Sequence, residues 1–453
     1  MSAPSVRPLS SSSSKPGDVG KKEQEAGKSA ARPPAQSASL LLLAPLTRPA
    51  PDGHDYRVLL LKRTATSRAY DSAHVFPGGN VDPADSSPGL LRFLPPSSAF
   101  PAPTSSGTST ETYKTLLLTA LRETFEESGL LLLSPSFSSA EGRGKWEGMS
   151  GEERGRWRER VHKDAREMEG LLAGLGGEEG VRLAAEGLTE WARWITPTGL
   201  PRRFDTRFFI SLLPSPLSST SPSPPSSASA SISEPAHQHA TSDGVETTLA
   251  EWLTPREAIR RALVYTAGLK TAREHPVPAA PAAVPRATEG EVEGEEAETG
   301  ILLHPPQFNL LAELAANHLS YRSLLAPSPS SPSSNSALVV RPRPVPTYLP
   351  RALRVRDKDG KERRAMALPG DEAYGPLGEG LIEVAGGGEK EGGKGGRRRN
   401  RTYVLPLEKG RAGLIVEGVE REGMVDVLGQ GWEDMRAGDT GAAEDTEAEK
   451  AKL

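Results

Sequence analysis

Glu123, Glu126 and Glu127 stand at i, i+3 and i+4 in the segment ALRETFEESGL (120–130). On a helix that spacing stacks three carboxylates on one face, with neighbouring Cβ atoms about 5–6 Å apart. Carboxylates so placed repel one another unless a cation sits among them. Hard oxygen donors of this kind suit Mg2+ or Mn2+, which take few carboxylates and complete their shell with water and substrate phosphate. Arg122, four residues before Glu126, can hold that carboxylate by a charge-assisted hydrogen bond. Taken alone, the spacing equally describes a solvated acidic face on an ordinary helix. Upstream, AHVFPGGNVDPAD (73–85) supplies Pro77, Gly78 and Gly79, a tight turn that lets backbone come close to a ligand, and then Asp82 and Asp85.

Positioning these groups requires strands on either side of them. ASLLLLA (38–44) and YRVLLLK (56–62) read as two neighbouring strands joined by a Pro/Asp/Gly turn. HVFPGG (74–79) reads as a short strand entering a glycine turn. Residues 86–109 are rich in Ser, Pro and Gly and read as an inserted loop. A helix is predicted from about Glu111 to Ser128 with Gly129 as its stop, and LLLL (130–133) returns to strand character. Residues 141–194 read as two or so helices broken by glycines. RRFDTRFFISLL (202–213) and VETTLAEW (245–252) read as strands. Helices are predicted over 255–273, with Pro255 in the first turn, and over 304–325.

Composition limits how much of the chain can be core. Of 453 residues, 46 are Gly and 41 Pro, and 36% are hydrophobic. The expectation is one principal domain of roughly 200–250 ordered residues. It spans 38–325 and carries low-complexity insertions at 86–109, 214–243 and 276–299. A disordered extension (1–37) precedes it, with Asp18, Glu23 and Glu25 arguing against a mitochondrial presequence, and a mostly low-complexity region (326–453) follows. A formal net charge of -4 does not describe a nucleic-acid coat, and the basic GRRRNR (396–401) has no aromatic platform around it. Neither nucleic acid nor membrane is an expected partner, since no apolar run approaches the ~20 residues of a spanning helix. With no cysteine, a disulfide scaffold, a thiol nucleophile and a cysteine-ligated zinc are excluded, and the chain is expected to be intracellular.

Together the two acidic segments resemble the Nudix signature, G-x5-E-x7-R-E-U-x-E-E-x-G-U, where U is a bulky apolar residue. Gly79 takes the first position and Asp85 the first acidic one. Arg122, Glu123, Glu126, Glu127, Gly129 and Leu130 take the rest. Asp85 replaces the pattern's Glu, Thr124 replaces an apolar residue, and 36 residues (86–121) stand where the pattern has seven. The insertion is similar to that of the Nudix coenzyme A diphosphatases of the nucleoside diphosphate-linked moiety X motif 19 type. AHVFPGG (73–79), TPTGLPRRFDTRFF (196–209), LLHPPQF (302–308) and ALPGDEAY (367–374) also resemble that subgroup.

The resemblance implies an α/β fold, the Nudix α/β/α sandwich around a mixed sheet. It implies hydrolysis of coenzyme A or acyl-CoA to adenosine 3′,5′-bisphosphate and (acyl-)4′-phosphopantetheine, with Mg2+ or Mn2+ as cofactor. Glu126 and Glu127 are then metal ligands, Glu123 a ligand or the general base, and the Gly79 carbonyl a further ligand. Asp85 either ligates or orients Arg122. Glu246 is the candidate carboxylate beyond the box, as base or extra ligand, against the alternative of an exposed strand residue. Arg63, at the end of the second strand, can reach the diphosphate or simply point to solvent. Arg202 and Arg203 can clamp the 3′-phosphate, with Asp205 as their salt-bridge partner. His74 is assigned no catalysis, and Trp191 and Trp194 pack a core rather than stack adenine. The terminal Ala451-Lys452-Leu453 resembles a peroxisomal address read by an import receptor, which makes the peroxisome the expected location. Two alternatives stay open: another nucleoside diphosphate substrate (NADH, ADP-ribose or capped RNA), or a weakened Nudix fold that binds a nucleotide without cleaving it.

Overall fold

The four leucines 40–43 lie in β1 (Ala35–Pro45), a strand buried on both faces. Leu40 and Leu42 join one core while Leu41 and Leu43 join the other, which is why the run is apolar throughout rather than alternating. The computed structural model describes residues 33–64, 72–99, 108–197, 200, 202–214, 240–274, 300–326, 338–356, 362–369, 374, 383–384, 400–406 and 414–421. The chain divides into Met1–Pro33 and Pro34–Leu453, and every element named below lies in the second unit.

Seven further strands complete a mixed sheet around β1: β2 (Tyr56–Arg63), β3 (His74–Val75), β4 (Gly78–Asn80), β5 (Thr189–Ile195), β6 (Phe204–Leu212), β7 (Thr247–Leu253) and β8 (Thr347–Tyr348). Their order is β3-β2-β1-β6-β5-β8, with β4 on β1 and β7 on β2. β1 runs parallel to β6 from Ala35↔Phe204 to Leu43↔Leu212. It pairs with β2 only over Leu43↔Val58 to Pro45↔Tyr56. Beyond that the two strands part, and the chain at 74–80 fills the wedge, β3 on β2 (Leu61↔Val75) and β4 on β1 (Ser39↔Gly78).

Helices cover both faces. On one lie α1 (Pro88–Leu91), α2 (Thr110–Ser128), α3 (Ala140–Gly148), α4 (Gly151–Lys163), α5 (Glu167–Gly174) and α6 (Gly177–Gly180). Leu117, Leu121, Phe125, Met168 and Leu172 pack there against Leu40, Leu42, Leu59 and Leu61. On the other lie α7 (Pro255–Glu274) and α8 (Pro305–Asn317), whose Ile259, Phe308 and Leu311 meet Leu41, Val58 and Ile210. A second sheet of order β11-β9-β10-β12-β13 comprises β9 (Arg351–Arg356), β10 (Glu362–Ala367), β11 (Glu383–Val384), β12 (Asn400–Pro406) and β13 (Leu414–Arg421).

Several expectations are corrected. Residues 86–99 are not a bare loop: 3-10 turns and α1 deliver Leu90, Phe93 and Leu94 to the core. The end of the span 141–194, read as helical, lies in β5, and LLLL (130–133) forms only one bridge, Leu133↔Leu183. Gly78 and Gly79 sit in β4 rather than in a turn. The region 326–453 is not merely low complexity, since β8–β13 lie within it. Residues 215–239, 275–299 and 396–399, like Ala451-Lys452-Leu453, lie outside the described residues. Among the described residues no helix is long and apolar enough to cross a membrane.

Candidate active site

The glutamate row lies on the second half of α2. Ser109 caps the helix start by accepting from Thr112 N–H, and Gly129 ends it with a left-handed φ of 75°. Arg122 braces the row. Its Nε and Nη2 donate to the two oxygens of Asp85 (2.7 and 3.0 Å), its Nη1 to Glu126 (2.6 Å), and its Nη2 also to the Asn80 carbonyl (3.2 Å). Asp85 is fully buried and accepts further from Thr119 Oγ1 (2.8 Å) and Asp82 N–H (2.9 Å). Of its two readings the geometry carries the orienting one. Arg122 with Asp85 thus joins the two halves of the motif across the insertion.

Glu127 is buried and accepts from Gly78 N–H (2.8 Å), which ties the row to β4. Gly79 lies directly under the Glu123 carboxylate: a methyl there would overlap the end of that side chain and oblige it to move. Glu123 keeps 15% of its side chain exposed and meets Arg122 Nη1 at 3.0 Å. Burial pushes its carboxyl up to about 7, with Arg122 pulling against that and Glu126 adding to it. Burial also raises Glu126, and it raises Glu127 strongly, where the Glu123 charge adds to the effect. The three titrate as a coupled set.

Across the cleft, a register shift at Lys62/Arg63 in the β2–β7 ladder turns the end of β2. Arg63 Nη2 donates to Glu246 (3.0 Å), and Nη1 lies 3.5 Å from Glu127. Glu246 is presented by the Asp243 carboxylate, which accepts from the N–H groups of Val245, Glu246 and Thr247 (3.0, 3.0 and 2.7 Å). A cleft of about 620 Å3 joins Arg63, Gly79, Arg122, Glu123, Glu126, Glu127 and Glu246, within the range of ligand-binding cavities.

Arg202 and Arg203 do not line it, although their neighbours Leu200 and Phe204 do. Asp205 is paired with Arg193 rather than with either of them (2.7 and 2.6 Å). His74 is buried in β3, hydrogen-bonded to Glu251 (3.0 Å), and is not a cleft residue. Trp191 and Trp194 are buried, Trp194 also forming part of the cleft wall. Sequence reading missed His162 of α4, which lines the cleft with Nδ1 3.5 Å from Glu126 Oε2. It missed Arg158 as well, whose Nε donates to the Glu126 carbonyl (2.6 Å). Neither belongs to a motif, and only the packing of α4 on α2 brings them there.

The donors fit a hard divalent ion. Among the described residues no three acidic or imidazole groups form a ready-made cage. Glu126 is turned to Arg122, and Glu127 to Gly78. Yet three carboxylates raised by burial face one cleft, in the all-oxygen chemistry Mg2+ or Mn2+ takes while keeping sites open for phosphate.

A mixed sheet splayed around a glycine wedge, layered between helices and edged by an arginine-braced glutamate row, is the α/β/α sandwich of Nudix proteins. The model of the NUDT19 Nudix domain family matches residues 35–265, about half of the chain, and the chain belongs to that family. Over 259 residues it is 33% identical to acyl-coenzyme A diphosphatase NUDT19 of Gallus gallus, covering 50% of this chain and 62% of that protein. Over 216 residues it is 32% identical to the Homo sapiens protein of the same name, covering 40% of this chain and 56% of that protein. The chain thus spans less than two thirds of these relatives. Among solved structures it aligns with a NUDIX hydrolase from Alicyclobacillus acidocaldarius at TM-score 0.38 and 20% identity, over 68% of this chain and 99% of that one.

Proposed function

We propose that the chain hydrolyses the diphosphate of coenzyme A or acyl-CoA to adenosine 3′,5′-bisphosphate and (acyl-)4′-phosphopantetheine, with Mg2+ or Mn2+ as cofactor. The observation that carries this is the row Glu123, Glu126 and Glu127 facing Arg63 in one cleft. The names of the relatives supply the substrate class. Glu126, Glu127 and Glu123, with the Gly79 carbonyl, would hold the ion. A divalent ion bound there neutralises the diphosphate and lowers the pKa of the attacking water.

Arg122 holds Glu126 in place, and Arg63 offers a cation to the diphosphate. Water attacks one phosphorus, the bridging P–O bond breaks toward the departing phosphate, and a carboxylate takes the proton. Two carboxylates are suited to take it, Glu123, whose carboxyl sits near neutrality, and Glu246 on the rim, with 46% of its side chain exposed. Arg202 and Arg203, beside the rim, are assigned the 3′-phosphate. We assign the chain to the peroxisome, with Ala451, Lys452 and Leu453 meeting the import receptor.

The test offers CoA, acyl-CoA, NADH, ADP-ribose and capped RNA to the purified chain with Mg2+ or Mn2+, separates the products, and uses Glu126→Gln as the inactive control. Cleavage of CoA esters lost in Glu126→Gln is the expected result. Faster cleavage of NADH would change the substrate, and no cleavage at all would make this a nucleotide-binding protein.

A further inference from the structure

The cleft has a second half that is apolar, and the matched domain does not build it alone. All the strand ends around it lie at one end of the sheet. The carboxylates and Arg63 gather by β2, β4 and β7, and beyond β1 the cleft continues toward β6 and β5. There its walls are Leu200, Phe204, Pro305, Pro306, Met366 and Leu414. The last four come from beyond residue 265, where the family match ends.

Those four residues are fixed in place. Pro305 and Pro306 open α8, and His304 Nδ1 donates to the Leu414 carbonyl (3.1 Å), locking β13 to that helix start. Asn309 Nδ2 donates to Thr402 Oγ1 (3.0 Å), and Thr266 Oγ1 to the Val416 carbonyl (3.1 Å), so the second sheet is held at two more points. Leu200 stands at the rim with 51% of its surface exposed, apolar area that gains from being covered.

A diphosphate lying over the carboxylates sends two arms in opposite directions, one a nucleoside and the other a chain. A nucleobase asks for a free aromatic face. Here Trp194 already lies on Tyr348 (centroids 4.5 Å apart), and Phe208 already meets Phe76 edge-on (6.3 Å). Apart from the half-buried Phe204 ring, the surface left over is the aliphatic, thioether and proline side of Leu200, Leu414, Met366, Pro305 and Pro306, which suits methylene groups at about fourfold in affinity for each one buried. We propose that this half of the cleft seats the acyl-pantetheine arm, so that the C-terminal sheet selects substrate. The assignment rests on the hydrolase reading above and adds which way the substrate lies.

The experiment measures, by titration calorimetry with Mg2+, binding of octanoyl-4′-phosphopantetheine and of adenosine 3′,5′-bisphosphate to the full chain and to its Leu414→Asp and Leu200→Asp variants. Both variants should bind the octanoyl half at least about tenfold more weakly and the adenosine half far less affected. Leu200 is exposed, so its variant reads the site even where melting temperatures show that Leu414→Asp has lost its fold. Greater loss of the adenosine half would make this the nucleoside seat, and equal loss or none would also overturn the assignment. A wild-type chain that cleaves no CoA ester overturns the hydrolase reading and this assignment together. One that cleaves them while the variants bind as wild type overturns the assignment alone.

Discussion

Stripping divalent ions from the chain should make its stability fall as the pH is raised, and the glutamate row sets the size of the fall. In the folded, metal-free chain the Glu123 carboxyl is raised from 4.5 to about 7. A group raised on folding contributes stability that is complete below its unfolded value and is lost as the pH rises through its folded one. The window is therefore about pH 4.5 to 7, and a shift of that size is worth about 3 kcal/mol. For a domain of this size that is a melting temperature lower by roughly 6–10 °C. Glu126 and Glu127 move in the same direction, so the loss belongs to the trio. His74 and His318, lowered by burial, act with the opposite sign in an overlapping window. The slope is therefore read as the difference between wild type and Glu123→Gln. Thermal unfolding in EDTA from pH 5 to 8, repeated with Mg2+ or Mn2+, measures it. The ion should restore the wild type most at high pH, because it binds only the folded, deprotonated row. A Glu123→Gln profile as steep as the wild type's, or an ion effect independent of pH, would refute the reasoning.

Three other outcomes are expected. Asp85→Ala leaves the Arg122 guanidinium buried without its two-oxygen partner, and should lower stability by about 3–5 kcal/mol in denaturant titrations; a loss below 1 kcal/mol would mean that Arg122 finds other acceptors. Gly79→Ala forces the Glu123 carboxylate aside and should reduce kcat/KM about a hundredfold, while unchanged turnover would show that Glu123 need not sit there. Removing Ala451–Leu453 should move a fluorescent fusion from punctate bodies to the cytosol, and an unchanged pattern would dispose of the address.

How far the sequence could be read depended on how local each signal was. The helix carrying Glu123, Glu126 and Glu127 was legible to within a residue, because the carboxylate spacing and the Gly129 stop both act within one element. The parallel pairing of β1 with β6 was not, since nothing local relates Leu40 to Phe209. β5 was misread because a register shift at Trp191 breaks its alternation and sends Trp191, Ala192 and Trp194 into one core, and glycine-broken helices precede them. The Asp85–Arg122 bond was one of two options in sequence and became one in space. Phe93 and the short turns around it were hidden by Ser/Pro/Gly composition, although a few apolar residues suffice to anchor such a segment. Asp205 went to Arg193 because β5 and β6 are neighbours, a pairing that could not be inferred while 141–194 was taken for helices.

The bond between Asp85 and Arg122 makes the two halves of the glutamate site neighbours whatever the length of chain between them. Closing 36 residues instead of seven costs only about 1.5 kcal/mol of chain entropy, less than the cost of leaving Arg122 buried without Asp85. Covalent continuity is then not what keeps the catalytic halves together. A chain cut between Leu94 and α2 could reassemble from two fragments, one carrying the glycine wedge, Asp85 and α1, the other beginning before α2. The stretch between Leu94 and Thr110 is, in that sense, a natural splice point in the enzyme rather than a flaw in its motif.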